Sequence, residues 1–70
     1  MVEVFKTSVT EHKDATAILT MLNSSLPACK INFDLEDCDN ILRIKGDCIP
    51  VTTIMELLHT SGFECAVLDS

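Results

Sequence analysis

The stretch CKINFDLEDCDNILRIKGDC, residues 29–48, decides the fold. Apolar residues occupy every second position on either side of its middle: Ile31, Phe33 and Leu35 before it, Leu42 and Ile44 after it. A period of two puts each set on one face of a strand, and the cluster Asp37-Cys38-Asp39-Asn40 between them has turn chemistry. The stretch therefore reads as a β-hairpin. Pairing Glu36 with Ile41 sets Leu35 against Leu42, Phe33 against Ile44 and Ile31 against Gly46 on one face. On the other face the same register opposes Asp34 to Arg43 and Lys30 to Asp47, pairs of opposite charge that favour it. It also places Cys29 directly across from Cys48 on the apolar face, where both are expected to be reduced and largely buried.

Working outward, residues 2–9 are rich in Val, Phe and Thr and read as a first strand. Thr10 is suited to cap a helix, with Glu11 and Asp14 in the first turn, where the helix dipole favours acids. Ala15, Ile18, Leu19 and Leu22 recur at helical spacing, and Asn23-Ser24-Ser25-Leu26-Pro27 should end the helix. Pro50 suits the start of a second helix whose apolar face is Val51, Ile54, Leu57 and Leu58, and Gly62 is a good stop. Residues 63–68 form a last strand. The order β-α-β-β-α-β over residues 1–70, one domain, implies a ferredoxin-like α+β sandwich. Its four-stranded antiparallel sheet has both helices on one face, and right-handed crossovers give the strand order 4-1-3-2.

Composition narrows the function. A net charge of −6 from 11 acids and five bases disfavours nucleic acid and anionic membranes. The apolar runs are too short to span a bilayer, and the first residues are too polar for a signal sequence, which points to the cytoplasm. Cys29, Cys38, Cys48 and Cys65 are then thiols, and no C-x-x-C joins any two of them. Neither His12 nor His59 stands in a nucleophile motif, so no enzyme and no cofactor is expected. A chain of this length buries only about 60% of its unfolded surface, which makes an unknown protein partner or a homodimer plausible.

The closing run LLHTSGFECAVL, residues 57–68, together with the chain length and element order, resembles the heavy-metal-associated domain of copper chaperones and metal-pumping ATPases. The resemblance covers essentially the whole chain. It implies an M-x-C-x-x-C metal motif between the first strand and first helix. In this sequence Val9 takes the Met position, and Glu11 and Asp14 take the two Cys positions. Copper(I) prefers thiolates to carboxylates. The expectation is a non-catalytic binding module of this fold without the copper(I) site, acting in protein–protein interaction or homodimerisation. The alternatives are a metal-binding or metal-transport protein with an altered site and a small-molecule regulatory domain of ACT-like topology.

Two candidate sites follow. Chain direction places the first strand–helix loop, the 37–40 turn and the Gly62 loop at one end. Glu11, His12, Cys38 and His59 are gathered there as possible metal ligands, although no two of them share a known ligand spacing. Surface histidines and a solvated turn are the favoured reading of these residues. Strands one and four are apolar on both faces, and a sheet covered on one side buries only one set. Phe5, Ala66 and Leu68 are the expected exposed patch and candidate interaction surface.

Overall fold

The computed structural model describes residues 1–36 and 40–68. The elements are β1 (Val2–Thr7), α1 (His12–Ser25), β2 (Lys30–Asp34), β3 (Ile41–Lys45), α2 (Val51–Thr60) and β4 (Cys65–Val67). The strands form one antiparallel sheet in the order β2-β3-β1-β4, which is 4-1-3-2 read from the other edge. The period-two and helical patterns meet in a single core. Phe5, Leu42 and Ile44 rise from the sheet against Ile18 and Leu22 of α1 and Ile54 and Leu58 of α2, none more than 3% exposed. Burial of such a side chain contributes about 1.5–3 kcal/mol, so this cluster dominates the stability of a small domain.

The hairpin register differs from the expected one by two residues. Phe33 pairs with Leu42, Ile31 with Ile44, Asn32 with Arg43 and Lys30 with Lys45. A slip of two leaves every side chain on its expected face, so the alternation cannot distinguish the two registers. Sterics at the strand end do. The ladder ends at Lys30–Lys45, and just beyond it Cys29 Sγ fills the space that a Cβ on Gly46 would take; the expected register would put the larger Ile31 opposite Gly46. The cross-strand pairs Asp34–Arg43 and Lys30–Asp47 are forgone. Exposed ion pairs are worth about 0–1 kcal/mol and do not outweigh packing.

The same shift corrects the cysteine pair. Cys29 is half-buried and Cys48 is exposed beyond the end of β3, with the Cys29 thiol donating a weak hydrogen bond of 3.9 Å to the Cys48 carbonyl oxygen. Both are free thiols.

Phe5 is a further correction, since it is fully buried. It shares its face of β1 with Thr7, and that side leads into Val9, also fully buried. Covering this side with the helices buries all three, whereas covering the Val2 side would expose the largest side chain of the strand. Ala66 and Leu68 are exposed on the opposite face, next to Lys6 and Val4.

The helix ends also differ. Glu11, not Thr10, is the N-cap residue of α1, and it makes no side-chain cap bond. The helix runs through the small polar residues to Ser25, because they face solvent, and Leu26 N–H still donates to the Leu22 carbonyl at 2.7 Å.

Candidate functional site

Hydrogen bonds hold three loops together at one end of the sheet. The buried Thr7 hydroxyl donates to the Asn40 carbonyl at 2.7 Å and accepts from Val9 N–H at 3.3 Å. Ser8 N–H donates to the Glu64 carbonyl at 3.1 Å, and Glu64 N–H donates to Ser8 Oγ at 2.8 Å. The β1–α1 loop is thus anchored to both the β2–β3 and α2–β4 connections. Asn40 sits at φ +50, a left-handed conformation that Asn tolerates.

Within that loop Val9 points into the core, 0% exposed. Glu11 is extended, and its carboxylate lies 3.5 Å from Lys13 Nζ with both side chains mostly in solvent. Asp14 is half-buried in the first turn of α1, where the N-terminal end of the dipole favours a carboxylate. It borders a shallow cavity of ≈ 310 Å³ with Met21 and Phe63.

The expected ligands are dispersed. His12 opens α1 and is exposed, while His59 lies exposed in the last turn of α2. His59 instead lines a groove of ≈ 530 Å³ with Met55 and Cys65, between α2 and β4. Burial pushes the Cys65 thiol up from 9.0 to about 11, so it is protonated at neutral pH and a poor ligand until deprotonated. Cys38 lies outside the described residues. Among the described residues no three of the His, Cys, Asp and Glu side chains are grouped to hold a metal ion.

Two features were missed in the sequence. Met55 and His59 are i and i+4 on α2, so their common face was readable, but the approach of Cys65 depends on how α2 packs over β4. The second is that Lys30, Arg43 and Lys45, whose place on the sheet face away from the helices was readable from the alternation, have no acid paired with them. The expected register had matched Lys30 and Arg43 with acids.

No family model matches the chain, and no curated protein matches it. Among solved structures the chain is similar to the solution structure of the yeast copper transporter domain Ccc2A, determined in apo and copper(I)-loaded states. The TM-score is 0.81 at 20% identity, covering 97% of this chain and 94% of that one. The fold is therefore that of heavy-metal-associated domains, and at this identity the likeness is one of fold. No described helix is long and apolar enough to cross a membrane.

Proposed function

We propose that this chain is a non-catalytic interaction module built on the heavy-metal-associated fold, whose first loop serves structure rather than copper(I) binding. The observation that carries this reading is the loop itself. Val9 is a core side chain, Thr7 and Ser8 are committed to neighbouring loops, and the two positions matching the family's cysteines carry Glu11 and Asp14. A copper(I) site needs convergent soft sulfurs, and this loop offers only carboxylates and a histidine. Competition against a copper(I) chelator tests it. The expected result is no transfer of copper(I) to the protein. Tight one-to-one binding that is lost in Glu11→Ala/His12→Ala would overturn the reading.

A second reading, metal binding at an altered site, is favoured by one observation: Met55, His59 and Cys65 line a common groove. The same titration separates it from the first, because uptake there would be lost in Cys65→Ser and kept in Glu11→Ala.

A further inference from the structure

The sheet face turned away from the helices has a regular layout. Lys30, Lys45 and Val2 form one row across it, and Asn32, Arg43, Val4 and Leu68 form the next, with Leu68 N–H donating to the Val4 carbonyl at 2.8 Å. A third row runs Asp34, Ile41, Lys6 and Ala66. In the first two rows the β2–β3 half is thus cationic and the β1–β4 half apolar. Val2 is 51% and Leu68 39% exposed, and Lys30, Arg43 and Lys45 are exposed beside them.

The cations are concentrated against local energetics. Lys30 and Lys45 stand directly opposite each other, an arrangement that is destabilising for like charges. Lys30, Arg43 and Lys45 make no ion pair with any described carboxylate. Four of the chain's five bases, Lys6, Lys30, Arg43 and Lys45, lie on this face, and Asp34 is the one acid among the paired strand residues that form it. Even the shortest principal dimension is 18 Å, about two Debye lengths at the ~8 Å of physiological salt, so helix acids such as Asp14 and Glu56 are screened from this face.

We propose that this face docks an acidic segment of a partner protein. The segment sets carboxylates over Lys30, Arg43 and Lys45 and apolar side chains over Val2, Val4 and Leu68. The inference rests on the interaction-module reading and names the chemistry of the partner. Charge complementarity selects an anionic occupant, and the adjoining apolar strip selects a polypeptide. Nucleic acid fits poorly, because no aromatic side chain stands on this face to stack a base: Phe5 and Phe33 point to the core.

The test uses a short synthetic peptide alternating Glu-Glu and Leu, titrated into isotopically labelled protein and followed by amide shifts. A Gln-for-Glu peptide, a single-stranded oligonucleotide and phosphatidylserine vesicles are run at the same salt. Shifts should centre on β1, β2 and β3, and binding should weaken with salt. Lys45→Glu should lower affinity about tenfold while raising Tm, since it converts Lys30–Lys45 into an opposite-charge pair. Overturning results are shifts confined to the helices, equal binding of the Gln peptide, tighter binding of the oligonucleotide or vesicles, self-association through this face, or no peptide binding. The last of these, in a chain that also takes no copper(I), removes only the acidic-partner inference. Copper(I) uptake at the β1–α1 loop removes the interaction-module reading itself.

Discussion

Cys29 Sγ lies 2.8 Å from the point where a Cβ on Gly46 would stand, with the Cys29 Cα and Cβ each 3.6 Å away. The thiol and the missing side chain occupy the same space at the end of the hairpin. Gly46→Ala should destabilise by about 1 kcal/mol, the low end of overpacking, because the half-buried thiol must swing aside. Adding Cys29→Ala should recover most of the loss. Chemical denaturation of the single and double variants checks this, and a double variant as weak as Gly46→Ala would show that the clash lies elsewhere.

Phe5 is fully enclosed, whereas Phe33 is only partly buried against the same core. Phe5→Ala should cost about 3–5 kcal/mol. That equals the ~3–5 kcal/mol a single core supplies to a domain of this size, so the variant should be largely unfolded. Phe5→Leu should remain folded, and Phe33→Ala should cost less than Phe5→Ala. Urea titrations of the three rank them.

Lys45 is exposed and faces Lys30 across the ladder. Lys45→Glu should raise stability by about 0.2–1 kcal/mol, an effect that shrinks in high salt. A loss of stability at low salt would mean that the two ammonium groups do not repel each other in the folded state.

The Cys65 thiol is raised from 9.0 to about 11 by burial, so the folded state favours the neutral form. Its contribution to stability is complete below pH 9 and is lost as pH rises through about 11. Cys65→Ser should lack that part of the alkaline slope, as urea midpoints across this window would show. Thiol labelling of native protein should reach the exposed Cys48 well before Cys65.

Glu11 is an N-cap residue with no side-chain bond to the helix. Glu11→Ser supplies a hydroxyl of the right length and should stabilise by about 0.5 kcal/mol, less any contribution from the Lys13 pair. Thr10→Ala should change little, since Thr10 stands one residue outside the cap. Thermal melts compare the two.

Much of this molecule is local in origin and therefore readable in the chain. Ile18 and Leu22, like Ile54 and Leu58, reveal their helices because a helical repeat brings them to one side. Ile31, Phe33, Leu42 and Ile44 reveal their face because strand side chains alternate. Element order and handedness then leave one economical sheet. What the chain left open are choices between arrangements with the same periodicity. A slip of two preserves alternation, so the contacts the strands make, such as Cys29 over Gly46, select the register, and that register leaves Lys30 and Arg43 unmatched. Phe5 and Val4 are both apolar on one strand, and only the helices decide which is covered. The groove of Met55, His59 and Cys65 joins residues from two elements and exists only once α2 lies over β4. Sequence specifies what each element buries through repeating local geometry, while the pairing of elements depends on steric contacts between residues far apart in the chain.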